Sequence, residues 1–162
     1  MDRSINAYKK LANRNSLWLW LENATAGAVQ FYEGQGVCYD AVYGTAANVD
    51  AQRYNRCCAP SSTLAAHFAG VLAADYLVPV GGTLVQVYGP GSVCLIRVAI
   101  TQSVVINSSV LECTYTSGTW KIGATSPGKG CANALQTYNT SAGIHKVLAV
   151  LQEGAQSALQ TD

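Results

Sequence analysis

The sequence predicts an all-β protein, a sandwich or barrel of roughly eight to ten short strands with an extended N-terminal arm. Strand-length apolar runs alternate with Gly and Pro turns along most of the chain. The stretch from Cys57 to Trp120 carries only three charged side chains, Asp75, Arg97 and Glu112. Because a monomeric β-domain keeps one face of most strands in water, this charge-poor stretch indicates that neighbouring subunits or a host surface cover much of it.

The composition favours a single domain with few charged side chains. The chain has 162 residues, ten basic and nine acidic side chains and a formal net charge of +1. Only 12% of its residues are charged, about half of the roughly 25% usual in soluble proteins. This balance gives no electrostatic attraction to nucleic acid or to anionic lipid. We therefore expect neither partner.

Residues 1–28 are predicted to form the arm, and residues 29–162 a single β-rich domain. The run Leu17 to Leu21 places two tryptophans on one side of an extended chain and three leucines on the other. As a strand, this run is expected to be buried from both directions. Two structures satisfy this expectation: an arm laid between subunits, or an ordinary central strand. Glu22 ends the apolar run after five residues, which is too few for a secretory signal.

The uncharged stretch from Tyr76 to Ile96 is broken by Gly and Pro residues. We therefore expect no transmembrane segment.

Further strands follow in order. The segment Val29 to Tyr43 predicts two short strands, divided at Gly34-Gln35-Gly36. The clearest runs after it are Phe68 to Ala73, Leu77 to Val80, Thr83 to Tyr88 and Ser92 to Ile100. The Gly89-Pro90-Gly91 link predicts that the last two pair as a hairpin. Later strands are expected at Val110 to Thr116, at Thr119 to Ile122 after a turn at Ser117-Gly118, and at Lys146 to Leu151.

No motif predicts catalysis. Gly123 to Lys129 fits GxxxxGK, but Gly130 stands where a phosphate-binding loop needs Ser or Thr, so a turn is the better interpretation. The two histidines, His67 and His145, have no GxSxG serine or other nucleophile pattern beside them. There is no CxxC zinc motif. We predict no catalytic residue, no cofactor and no metal, and hence no enzyme.

The six cysteines are predicted to be mostly reduced and structural. They stand at positions 38, 57, 58, 94, 113 and 131. A chain of this length does not need a disulfide framework, and buried thiols pack as small apolar side chains.

Part of the chain resembles a known family. The segment His67 to Gly82, HFAGVLAADYLVPVGG, followed by TLVQVYGPGSVCLIRVAI, resembles the decoration or cement proteins of tailed bacteriophage capsids. The shared features are the Phe68-Ala69-Gly70-Val71 strand, the Val85-x-Val87 strand and the glycines at 89 and 91. Gly36 to Asp40 and Val147 to Val150 are similar to that family's first and last strands.

The resemblance implies a structural protein without catalytic residues. Such a protein is made in the host bacterial cytoplasm and assembles on the exterior of the virion, where it binds the major capsid protein and stabilises capsomer junctions. We expect a homotrimer. The predicted interface residues are Leu17, Trp18, Leu19, Trp20, Leu21, Phe68, Val71 and Trp120.

Two other functions are compatible with the sequence. One is another virion component, such as a minor capsid or tail protein. The other is a secreted carbohydrate-binding β-sandwich, in which Trp120, Tyr138 and Tyr115 would stack on sugar rings.

Overall fold

The computed structural model describes residues 16–39, 55–60, 68–99, 103–106, 110–114, 117–122, 131–139 and 143–152. Those residues form fourteen β-strands and no helix, which confirms the all-β prediction. The strands are β1 (Ser16–Leu21), β2 (Val29–Phe31), β3 (Gly36–Tyr39), β4 (Arg56–Cys58), β5 (Phe68–Leu72), β6 (Tyr76–Val78), β7 (Thr83–Tyr88), β8 (Val93–Val98), β9 (Ser103–Val104), β10 (Val110–Cys113), β11 (Trp120–Ile122), β12 (Cys131–Ala134), β13 (Tyr138–Asn139) and β14 (His145–Leu151).

The first half of the chain closes a five-stranded barrel in the order β1-β4-β3-β5-β7. Strand β1 pairs with β7 along its whole length, antiparallel, from Ser16 opposite Tyr88 to Leu21 opposite Thr83. On its other edge β1 runs parallel to β4. The expected arm is therefore wrong for residues 16–21, which form an ordinary barrel strand. Residues 1–15 lie outside the described part.

The second half closes another five-stranded barrel, in the order β10-β11-β8-β14-β12. Its longest pairing is between β8 and β14, antiparallel, from Val93 opposite Val150 to Val98 opposite His145. Strands β10 and β11 form the hairpin expected around Ser117-Gly118. Two small ribbons, β2 with β6 and β9 with β13, complete the strands that the structure describes.

The hairpin predicted at Gly89-Pro90-Gly91 is wrong. Strand β7 already pairs with β1 and β5, and β8 pairs with β11 and β14. Because both edges of each strand are occupied, the two cannot also pair with each other. The glycine turn instead carries the chain from one barrel to the other. It is held by the Gly91 amide, which donates to the Leu151 carbonyl at 2.8 Å.

The two barrels pack directly against each other. The buried cluster of the second barrel includes Phe68, Val71 and Tyr88 from the first. The Gly34 carbonyl accepts from the Trp120 indole N–H at 3.1 Å and from the Arg97 amide at 2.9 Å. A Cβ atom at position 34 would lie 2.7 Å from the Arg97 nitrogen, at a φ of +87°, so glycine is required there.

Much of the charge-poor stretch is thus covered within the chain. The strands between Cys57 and Trp120 bury their inward faces in two barrel interiors and in the junction between them. Burial by other subunits is not needed to explain those faces. The apolar side chains that remain exposed are the candidates for contact with another molecule.

Candidate functional site

The eight predicted interface residues divide into two groups. Five of them are buried inside the chain: Leu19, Leu21, Phe68, Val71 and Trp120. Their prediction as contacts with another molecule is corrected, because the first barrel encloses the two leucines and the barrel junction encloses the other three. Leu17, Trp18 and Trp20 are exposed on β1.

The exposed tryptophans share one outer face of the first barrel. Trp18 is 61% exposed and Trp20 is 39% exposed. In the antiparallel register Trp18 lies opposite Gln86 of β7, and Trp20 lies opposite Leu84. Directly opposite residues point to the same side of a sheet. We define the tryptophan face as Trp18, Trp20, Leu84 and Val80, the last from the turn before β7; both aliphatic residues are more than half exposed.

Hydrogen bonds hold this face in place. Asn23 is buried, and its side-chain amide donates to the carbonyls of Val78 at 2.9 Å and Pro79 at 3.2 Å. The Gly81 amide donates to the Asn23 carbonyl at 2.9 Å, and the Gly81 carbonyl accepts from the Trp20 indole N–H at 3.1 Å. The turn that carries Val80 is therefore fixed to β1.

Gly82 lets the Trp20 ring lie close to this turn. A Cβ atom at position 82 would come within 2.6 Å of the Trp20 Nε1 atom, and the φ angle there is +110°. Both the close contact and the positive φ angle exclude a larger residue at position 82. Trp20 and the turn that carries Val80 are thus ordered before any partner arrives, which lowers the entropy cost of binding.

The face is electrically neutral. Neither β1 nor β7 contains a charged residue. Arg56, next to Trp20 on β4, forms an ion pair with Glu22 of the same chain. An apolar face with this electrostatic character suits contact with another protein surface that is also uncharged.

Four aliphatic side chains in the second half of the chain are also exposed. They are Val105, Ile106, Ile122 and Ile144, each between 40% and 46% exposed. Val98 of β8 lies opposite both Trp120 of β11 and His145 of β14. The parallel and antiparallel registers therefore bring Ile122 and Ile144 to the same end of β8, but on opposite faces of the sheet.

The other two exposed aliphatic residues follow the first strand of the β9–β13 ribbon. Val105 and Ile106 follow β9, and the Ile106 amide donates to the Thr137 hydroxyl at 3.0 Å. Tyr138 of the ribbon stacks on His145, with ring centroids 4.5 Å apart. This contact joins the ribbon to the strand that begins just after Ile144.

The titratable groups show no arrangement for nucleophilic chemistry among the described residues. Burial raises the pKa of Cys38 to about 12. Burial, followed by the nearby Cys38 and Glu112, also raises the pKa of Cys113. Both thiols stay protonated at neutral pH, whereas a reactive cysteine needs the thiolate. No group of three or more His, Cys, Asp or Glu residues converges as a metal site in the part of the chain that the structure describes.

Several sequence features fall outside that part: His67, Tyr115 and the GxxxxGK segment at 123–130. Within the described residues, no helix is long and apolar enough to cross a membrane.

Trp120 and Tyr138, two of the three aromatic residues suggested for sugar stacking, are not placed for it. Trp120 is fully buried, with its N–H bonded to Gly34 and its ring edge-on to Phe68 at 5.7 Å between centroids. Tyr138 packs against the buried cluster of the second barrel and stacks on His145. Exposed aromatic side chains lie instead on β1, at Trp18 and Trp20, and at Tyr32 just after β2. The sequence predicted that both sides of the β1 run would be buried.

Comparison with known proteins gives no match. No family model matches the chain, and no curated protein or solved structure matches it either. Only the chain's own residues therefore indicate its function.

Proposed function

We propose that the chain is a structural protein of a bacteriophage particle, which binds the outside of the capsid as a decoration or cement protein. The observation that carries the proposal is the tryptophan face, a preformed and neutral apolar surface. The resemblance of the His67 to Ile100 region to phage decoration proteins supports assembly on a capsid. The partners would be the major capsid protein and further copies of the chain.

The exposed tryptophans could supply substantial binding energy. Together, the exposed fractions of Trp18 and Trp20 amount to about one whole tryptophan side chain, on the order of 200 Å². Covering this area contributes about 5 kcal/mol by area bookkeeping. A shell presents many equivalent sites, so repeated contacts of this size would reinforce the particle.

Binding to empty shells tests the proposal. Heads of the encoding phage, prepared without this chain, are mixed with wild type, with Trp18→Thr and with Trp18→Phe, and the bound fraction is measured after sedimentation. We expect saturable binding by wild type and by Trp18→Phe, which keeps an apolar ring, and much weaker binding by Trp18→Thr. Absence of wild-type binding at micromolar concentration would refute a cement role.

One observation favours a second function, carbohydrate binding. Trp18 and Trp20 are exposed on one strand face, as stacking residues for sugars would be, and Gln86 lies opposite Trp18. However, Leu84 and Val80 bring no hydrogen-bonding side chain to the face, which favours a protein partner. Glycan-array binding by wild type that is lost in Trp18→Thr would support the sugar-binding alternative.

A further inference from the structure

The two halves of the chain repeat one fold. Counted seven strands further along, the first barrel's order β1-β4-β3-β5-β7 becomes β8-β11-β10-β12-β14, which is the closed order of the second barrel. The directions of pairing also correspond, because β1 with β4 and β8 with β11 are the parallel pairs and all other barrel neighbours are antiparallel. The ribbon β2–β6 likewise corresponds to β9–β13. We call β1–β7 the first unit and β8–β14 the second unit.

The registers of the two units also match. Tyr88 lies opposite the first residue of β1, and Val150 lies opposite the first residue of β8. The same interval along the chain separates Tyr76 of β6 from Tyr138 of β13. It also relates two glycines with left-handed φ angles of +86° and +90°, Gly81 and Gly143. A residue on one unit therefore has a definite counterpart on the other.

The tryptophan face has such a counterpart. Trp20 is the fifth residue of β1 and Arg97 the fifth residue of β8. Leu84 and Lys146 are the second residues of β7 and β14. The cross-strand pair Trp20–Leu84 of the first unit thus corresponds to the cross-strand pair Arg97–Lys146 of the second.

In the second unit, this pair of positions holds a tight turn of the first unit. The turn is residues 32–35, between β2 and β3. The Arg97 guanidinium carbon lies 3.9 Å from the centre of the Tyr32 ring. The Lys146 ammonium lies 2.8 Å from a Glu33 carboxylate oxygen. Two cross-strand positions therefore form a seat for two neighbouring side chains of a turn.

Only the side-chain part of this contact is open in the first unit. The Arg97 amide donates to the Gly34 carbonyl of the turn at 2.9 Å. The corresponding amide, that of Trp20, donates to the Asn55 carbonyl of its own barrel at 2.8 Å. An occupant of the tryptophan face is therefore held by side-chain contacts, without a backbone bond to Trp20.

The chemistry of the seat indicates the chemistry of its occupant. The two cations of the second unit receive an aromatic ring and a carboxylate. Trp20 and Leu84 are uncharged, and they are 39% and 53% exposed. A carboxylate placed on them would lose water without gaining a cation, whereas apolar side chains would gain from the contact.

We propose that the tryptophan face is the first unit's copy of this seat, and that its occupant is a tight turn of the major capsid protein that presents uncharged, apolar side chains. The capsid protein as the source of the turn rests on the proposed function. The same position on both units then has the same use, a contact with a turn. The contact lies within the chain in the second unit and between two proteins in the first.

A matched pair of photo-crosslinking variants tests the proposal. The photoreactive residue p-benzoylphenylalanine replaces Leu84 in one full-length chain and its counterpart Lys146 in the other. Each chain is mixed with heads that lack the protein and is irradiated, and the linked peptides are identified by mass spectrometry. Far-UV circular dichroism checks that both variants are folded.

The two positions should give different crosslinks. Position 146 should link to residues 32–35 of the same chain, with or without heads. Position 84 should link to one segment of the capsid protein, and that segment should form a turn between two strands in a reconstruction of the head.

Leu84→Lys tests the chemistry of the occupant, with Leu84→Ile as the control. The lysine copies the second unit, where the counterpart pairs with a carboxylate. An apolar turn should bind the lysine variant about 10-fold or more less tightly, because the ammonium loses water without gaining an anion. Leu84→Ile should bind as wild type does. The bound fraction is measured by sedimentation with heads over a range of chain concentrations.

Four results would overturn the inference: no link from position 146 to residues 32–35, a link from position 84 to a capsid helix or to the middle of a strand, wild-type binding without any link from position 84, or unchanged binding by Leu84→Lys. In each of these, wild type still binds heads and the cement role stands. Absence of wild-type binding overturns the cement role instead, and the capsid turn as occupant falls with it.

Discussion

The alternation of burial along β1 makes a sharp prediction about two adjacent residues. Leu19 is 2% exposed within the first barrel, whereas its neighbour Trp18 is 61% exposed. Leu19→Ala removes buried methyl groups and leaves a cavity, so it should lower the free energy of unfolding by about 2 to 5 kcal/mol. Trp18→Thr removes a larger side chain from the outer face and keeps a β-branched residue in the strand. Its effect on the folded subunit should be within about 0.5 kcal/mol.

Urea unfolding followed by far-UV circular dichroism measures both changes. Because subunit association also stabilises the folded state, each variant is unfolded at several protein concentrations and the values are compared in the dilute limit. Leu19→Ala should lower the midpoint at every concentration, and Trp18→Thr should change it little in the dilute limit. A neutral Leu19→Ala, or an equally large loss for Trp18→Thr in the dilute limit, would refute the assignment of inner and outer faces.

Three further predictions concern the interior and the ion pairs. Burial raises the pKa of Cys38 from 9.0 to about 12, so the unfolded chain loses this thiol proton at lower pH than the folded chain does. The free energy of unfolding should therefore fall between pH 9 and 12, by about 1.4 kcal/mol per pH unit for one thiol. Urea midpoints measured over this range should fall less steeply in Cys38→Ala. Lys121→Met leaves the buried Glu112 carboxylate without this cross-strand cation and should cost about 2 kcal/mol in urea unfolding, while Lys121→Arg should cost little. Gly70→Ala places a Cβ against the β7 backbone at a φ of +147° and should lower stability by about 3 kcal/mol or more; Gly27→Ala, where a Cβ meets no atom within 4 Å, is the matched control for thermal unfolding.

The sequence predicts the strands better than their partners. Thr83 to Tyr88 is a strand with the bounds that its Gly and Pro neighbours indicated. The same punctuation suggested a hairpin across Gly89-Pro90-Gly91, which is wrong. Turn residues indicate only local geometry. Strand β7, however, pairs with β1, which is distant in sequence, and with β5, from which β6 separates it. Pairing of this kind depends on how the whole barrel closes.

The site was only partly predictable for a related reason. Large apolar residues on both sides of Leu17 to Leu21 predicted that both sides would be buried, whereas the closed barrel encloses only Leu19 and Leu21 of this run. Trp120 was expected at an interface and is fully buried. Its burial depends on the Gly34 carbonyl, 86 residues away, which accepts its indole N–H. No local pattern signals an acceptor at that distance.

An image reconstruction of the parent phage particle tests the central claim most directly. The account predicts density for folded copies of this 17.0 kDa chain on the outer surface of the head, at the junctions between capsomers, with the tryptophan face covered by protein. Heads assembled with Trp18→Thr should lose most of that density. A particle whose outer shell lacks the chain, or that carries it only in the tail, would contradict the claim.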